Sequence, residues 1–402
     1  MSYKILPLQT NRQERNKFQI PLNTIYFCGN SLGLCPIESE KVVNQIIQEW
    51  EQNHIHSWNL AIQLPLKVGN KIGKLIGAEE NETIIADSTS INLFKCLGTS
   101  IAIQKIKNPN RRSILLDREN FSNDLGLLKL LSTDEYKVRY FDDENQLEDF
   151  LNDDVVCILL SHVNYHHGKL YNIKKITEMV HKVDAFIIWD LCHSVGSVPI
   201  NLTEVNADFA VGCTDKYLNS SPGAPAFIYV NKKHQNVTWQ PLTGWLGHQS
   251  PFKMSKDYEP IVGIKNFLVG TPEVLPISII DCSVEITLDA GMQLIRKKSL
   301  ALGDLFIFLM TEKCPSFKLV TPFEYEKRES HLSYQHENAN EISKWMRKRN
   351  IYSDFISPDI LIFAMTPLYT KFVDIWNAIE NISDIVKNVE SKNFDESCVS
   401  LN

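Results

Sequence analysis

Five strand-length apolar runs constrain this chain more than any other feature. They lie at 113–117, 155–161, 185–190, 209–213 and 226–230. Their length and their β-branched and aromatic content mark strands. Stretches with helical spacing separate them, at 123–132, 144–151 and 173–181. That alternation predicts an α/β fold, a mostly parallel mixed sheet flanked by helices. In open sheets of this kind ligands sit beyond the carboxyl ends of the strands.

Two strand ends stand out. The run AFIIWD ends in Asp190, and His193 follows three residues later. The run at 209–213 is followed by Lys216 and a turn-rich tail, Asn219-Ser220-Ser221-Pro222-Gly223. An acid and a lysine on nearby strand ends fit one cofactor. The lysine can hold an aldehyde as a Schiff base, and the acid can pair with a pyridinium nitrogen. Taken singly, Lys216 could open a surface loop and Asp190 could cap a helix. His193 could touch the same ligand or simply pack.

Other stretches add candidates. Residues 38–79 read as helical, with Val42, Val43, Ile46, Ile47 and Trp50 recurring at helical spacing. Ser88, Thr89 and Ser90 precede the apolar-periodic run at 91–103. A helix start there could bind an anion, although a plain cap would use one of the hydroxyls. Phe121 could stack on a flat ring or pack in the core, and Asp124 could cap the next helix. Gly244-Trp245-Leu246-Gly247-His248 lies in a long, weakly periodic stretch at 241–272. Its indole could donate to a phosphate or pin the loop. His54, His56 and His248 lack metal-ligand spacing, so no metal is expected. A helical run at 275–311 shows no clear breaker. Strands at 318–321, 331–334 and 360–365 and helices at 338–348 and 372–386 predict a smaller α+β domain. The expected organisation is an N-terminal segment at 1–60, a large domain at 61–290 and a small C-terminal domain at 291–402.

Composition narrows the partners. The net charge of −7, with no basic stripe, argues against nucleic acid. The apolar runs are too short to span a membrane, and the first residues lack the apolar core of a signal peptide. Nine cysteines without paired spacing point to reduced thiols and a cytoplasmic location.

Seven stretches then carry a resemblance. They are YFCGNSLGL (26–34), ADSTSINLFK (86–95), WDLCHSVGSVPINL (189–202), DFAVGC-x-x-KYLN (208–219), PGAPAFIYV (222–230), GWLGHQSPF (244–252) and TPLYTKFVDIW (366–376). With them the chain resembles the kynureninases, pyridoxal-phosphate enzymes of the aminotransferase-like fold type I. The resemblance implies that Lys216 is the Schiff-base lysine and Asp190 the partner of the pyridine nitrogen. It places Phe121 over the cofactor ring. Thr89, Ser90, Asp124, Ser161 and His193 match other cofactor-site positions. Trp245 and Thr271 would reach the phosphate from the other subunit of a homodimer. The family reaction hydrolyses the Cβ–Cγ bond of kynurenine to an anthranilate-type product and alanine. The alternatives are a relative with a changed substrate or reaction, and a non-catalytic relative that keeps the fold.

Two departures bear on the substrate. The family carries an arginine in a pattern like L-R-F-G-x-T-P-L-Y, which grips the substrate α-carboxylate. Here Ile362 stands at that place in Leu361-Ile362-Phe363-Ala364-Met365. Ile356 likewise stands where arginine is usual. Losing a charge-assisted hydrogen bond costs roughly 1.5–3 kcal/mol. A substrate without a free α-carboxylate (an amide, an ester or a carrier-bound form) would escape that loss, or Arg328 could take over the grip. The second departure is Asp215, where a tyrosine usually donates to the phosphate. Ser220-Ser221 also replaces a Gly-Gly pair.

Overall fold

A computed structural model of the chain describes residues 12–119, 135–142, 144–236 and 240–390. Phe121, Asp124 and the helix expected at 123–132 lie outside them. A short strand β1 (Ile25–Tyr26) comes first. A seven-stranded sheet follows, built from β2 (Thr83–Ile85), β3 (Ser113–Asp117), β4 (Lys137–Phe141), β5 (Val155–Ser161), β6 (Phe186–Asp190), β7 (Phe209–Gly212) and β8 (Phe227–Val230). Its order is β2-β8-β7-β6-β5-β3-β4. The pairs from β4 through β3, β5 and β6 to β7 are parallel, and β8 pairs antiparallel with both β7 and β2.

β6 is apolar without alternation because both of its faces are covered. Ile187 and Trp189 enter one core with Val68, Ile72 and Ile277, while Ile188 enters the other with Leu93 and Leu97. The five strand readings agree with the structure to within a residue at each end. The sequence reading missed β2 and β4. β2 is only three residues long. β4 is a sheet edge of mixed polarity, Lys137-Val138-Arg139-Tyr140-Phe141.

The helical stretch at 38–79 divides into Ser39–Asn53, a 3-10 turn His54–Ser57 and Trp58–Leu75. The run at 275–311 is two helices, Val274–Ala290 and Met292–Lys313, broken at Gly291 with φ 76°. A second sheet follows with its own core. It comprises β9 (Lys318–Leu319), β10 (His331–Gln335), β12 (Asp354–Ile356) and β13 (Ile360–Ala364), in the order β12-β13-β10-β9. β11 (Ile351–Tyr352) instead pairs with β1, which ties the first described strand to this later region.

Leu361 and Phe363 point into the core of the second sheet, with Leu332 and Tyr334. By alternation, Ile362 lies on the opposite face. Its cross-strand partners there are Ser333 and Asp354. That face looks toward the large sheet, because Ser333 Oγ donates to the carbonyl of His166 at 2.7 Å.

Candidate active site

The carboxyl ends of β5, β6 and β7 share one edge. Ser161 is level with Asp190 across the β5–β6 pair. Ser161 Oγ donates to Asp190 Oδ2 at 3.1 Å, and the Cys192 N–H donates to Oδ1 at 2.9 Å. Each carboxylate oxygen of this buried acid thus takes a donor, which fixes its orientation.

Lys216 Nζ lies 2.6 Å from His193 Nε2. Burial drives the His193 imidazole well below its ordinary pKa, and the charges of Lys216 and His331 add to that. The ring is therefore neutral, and its Nε2 accepts from the lysine ammonium. Burial works against the Lys216 ammonium too, but the Cys213 and Cys192 thiols and the Asp190 and Asp215 carboxyls outweigh it. The net shift is upward.

The turn that carries Lys216 is held from several sides. The Gly33 N–H donates to the Asp215 carbonyl at 2.7 Å. Thr214 Oγ1 donates to the Pro225 carbonyl at 2.8 Å. Asn219 takes a positive φ of 57° and returns its side-chain N–H to the Tyr217 carbonyl at 2.7 Å. A Cβ on Gly33 would run into the Lys216 carbonyl and stand 2.6 Å from Asn219 Cα. Backbone on both sides cannot yield cheaply. Gly33→Ala is therefore expected to cost about 1–3 kcal/mol in the geometry of this turn. It should weaken cofactor retention roughly tenfold or more, read by equilibrium dialysis against free pyridoxal phosphate. Gly29 makes the companion contact in the same motif, against Thr366 and the Tyr369 hydroxyl. The stretches at 26–34, 208–219 and 366–376 thus meet at one place.

On the other flank, the helix Thr89–Lys107 begins beside Asp190. Its cap is Ser88, whose side chain accepts from the Ile91 N–H. Thr89 and Ser90 are left for other use, and Thr89 Oγ1 lies 3.5 Å from Cys192 Sγ. Asp87, at φ 46°, shapes the turn before the helix. Lys95, fully buried, pairs with Asp87 and donates to the Phe267 carbonyl at 2.7 Å. Lys95 so locks the helix start to the loop that follows Trp245. Nothing in the sequence around Lys95 marks it for that role.

Among the described residues no hydrogen bond or ring contact joins Trp245 or Thr271 to Lys216 of the same chain. Trp245, 36% exposed, packs edge-on against Trp58 and Phe252. Thr271 is exposed ahead of the helix Val274–Ala290. Arg328 is committed elsewhere. Its guanidinium donates to Asp304 at 2.7 Å and covers the Tyr325 ring. Asp215 Oδ1 is buried without a hydrogen-bond partner among the described residues. Among the described residues no group of three or more His, Cys, Asp or Glu could hold a metal ion.

Comparison with known proteins decides the family. Residues 295–382 match the description "Kynureninase C-terminal domain". The chain is 41% identical over 381 residues to a kynureninase of Burkholderia mallei (strain SAVP1), covering 92% of this chain and 91% of that protein. It is 38% identical over the same length to a kynureninase of Pseudomonas fluorescens. The chain belongs to the kynureninase family. It is a kynureninase-type, pyridoxal-phosphate-dependent hydrolase acting on C–C bonds. Solved structures agree on the fold. A cysteine desulfurase from Thermococcus onnurineus NA1 aligns at TM-score 0.81 and 14% identity, covering 96% of this chain and all of that one. A C-DES mutant with glycine covalently linked to its PLP cofactor aligns at TM-score 0.77 and 15% identity, covering 92% and 99%.

The site residues fit this cofactor. Among the described residues the Lys216 Nζ has no carboxylate bond, and an oriented buried acid lies on the neighbouring strand end. Two helix-start hydroxyls are unused by capping. No helix among the described residues is long and apolar enough to cross a membrane.

Proposed function

We propose that this kynureninase-type hydrolase cleaves the Cβ–Cγ bond of a kynurenine-like amino acid whose α-carboxyl is masked as an amide, an ester or a carrier-bound form. The observation that carries this is Ile362. It is 1% exposed, on the sheet face shared with Ser333 and Asp354. Isoleucine supplies no cation at that position. Asp354 is held by Asn30 Nδ2 at 2.9 Å, and burial raises its pKa. Arg328, the other candidate grip, is spent on Asp304. A free carboxylate placed here would be desolvated beside isoleucine and an acid, which is costly. A masked carboxyl would not.

When bound, the cofactor would supply an aldehyde for the substrate amine and a ring that accepts electrons. Lys216 would hold that aldehyde at rest and take the substrate Cα proton at Nζ. Asp190 would pair with the ring nitrogen and keep it protonated. His193 receives the lysine's hydrogen bond and orients Nζ. Thr89 and Ser90 would hold the phosphate at the helix start, and Ser161 steadies Asp190. Phe121 and Asp124 complete the cofactor site in this reading.

The active enzyme is read as a cytoplasmic homodimer. Two features support this: the exposed position of Trp245 and Thr271, which would serve the partner's phosphate, and the unbonded state of the described cysteines. Kynurenine, 3-hydroxykynurenine and their amides and esters, each incubated with the enzyme and resolved by mass spectrometry, test the reading. An anthranilate-type product with an alanine amide or ester is expected. A product of β-elimination would instead favour a changed reaction. The double variant Ile362→Arg with Asp354→Asn should shift preference toward free kynurenine by about 10–150-fold, the worth of a charge-assisted hydrogen bond of roughly 1.5–3 kcal/mol. The second substitution is needed because a new arginine would otherwise pair with Asp354.

A further inference from the structure

Glu329 and His331 form a buried pair that the roles above leave unused. They are 2% and 0% exposed. Glu329 Oε2 accepts from the Tyr217 hydroxyl at 3.1 Å, from the His331 N–H at 2.7 Å and from His331 Nδ1 at 2.8 Å. A carboxylate oxygen only accepts, so Nδ1 carries the hydrogen. The neutral ring then presents a lone pair at Nε2. That atom is buried and has no partner among the described residues. Leaving such an atom unpaired is costly, and in a native structure it calls for a reason.

The surroundings supply one. Gly168, at φ +67°, lies against Nε2, and a Cβ there would stand 3.1 Å from it. Glycine at this position keeps a side chain off the Nε2 edge of the ring. The His193 ring, which holds Lys216, is 6.1 Å away centroid to centroid. Tyr217, which anchors Glu329, is the residue after Lys216. Lys216, His193, His331 and Glu329 thus form a continuous line from the cofactor lysine into the second sheet. The other groups acting on the line are Asp354 beside His331, and His162 and Arg296 beside Glu329.

We infer that His331 is a catalytic base of this hydrolase, activating the water that adds to the substrate ketone, and that Glu329 is its positioning residue. The assignment rests on the kynureninase-type reading. In the step, Nε2 takes a proton from water as the water oxygen bonds to the ketone carbon. One O–H bond breaks, one C–O bond and one N–H bond form, and the carbonyl π pair moves onto the ketone oxygen. The imidazolium formed is balanced by the Glu329 carboxylate, as in other acid–histidine pairs.

The test uses holoenzyme and whichever kynurenine derivative the parent cleaves fastest. His331→Gln should lower kcat by about 10²–10⁴-fold while the cofactor absorbance band stays. His331→Ala should regain at least about tenfold with added imidazole, a response that a packing role would not give. Glu329→Gln should lower kcat by about tenfold or more while KM stays within about threefold, because the carboxylate that orients the ring and balances its charge in the step is gone. The absorbance band reports folding of each variant, and Glu329→Asp replaces Glu329→Gln if that variant lacks it. A His331→Gln enzyme within threefold of the parent, an absence of imidazole rescue, or an unchanged kcat in the Glu329 variant would each overturn the assignment. A parent inactive on every kynurenine derivative would instead remove the underlying reading and this assignment with it.

Discussion

Lys216→Ala is expected to abolish turnover, lowering kcat by about 10⁴-fold or more, because in the proposed site one side chain would both hold the cofactor and move the Cα proton. The same variant should lose the absorbance band of the lysine-bound cofactor. The structure explains why a neighbouring amine cannot substitute. His193 Nε2 sits 2.6 Å from Nζ, and the Gly33, Thr214 and Asn219 contacts fix the turn around it. Lys95, a buried lysine on the adjoining helix, is tied to Asp87 and the Phe267 carbonyl. An unchanged spectrum in Lys216→Ala would remove Lys216 from its role.

Asp190→Asn should follow with a loss of about 10²–10⁴ in kcat. Removing one member of a buried charge pair costs roughly 3–5 kcal/mol, and the asparagine keeps the shape. The Cys192 N–H would still donate to the amide oxygen, and the amide Nδ2 would donate to Ser161 Oγ. Lys216 remains, so the absorbance band should survive while turnover falls. Steady-state kinetics at saturating cofactor separates this from weak binding. A variant within threefold of the parent would show that Asp190 does not face the ring nitrogen.

Much of this could be read from the chain itself. Asp190 is visible because it ends an apolar run and Lys216 because it stands just past another, and a parallel sheet brings such ends to one edge. Ser161 ends the neighbouring strand by the same logic. The hydroxyl cluster at 88–90 was visible as a helix start, although only the structure shows that Ser88 is the cap. What stayed hidden depends on contacts distant in sequence. Lys95 reads as one more polar residue in a helix until Phe267 is placed beside it. Glu329 and His331 sit in a polar stretch, and only the folded chain brings them beside Tyr217 and the His193 ring. β2 and β4 were missed because short and edge strands lack a long apolar run. Ile362 was the reverse case. Its departure from the family pattern was plain in the sequence, and the structure adds Asp354 and Ser333 as its cross-strand neighbours.

Those neighbours bring the account to its central claim, that the substrate end of a kynureninase-type site has changed while the cofactor end has not. The most direct measurement is kcat/KM for free kynurenine against kynurenine amide, on the same holoenzyme preparation. The account predicts that the amide is preferred by at least about tenfold, the factor set by the charge-assisted contact that Ile362 cannot make. Equal or faster cleavage of free kynurenine would contradict it.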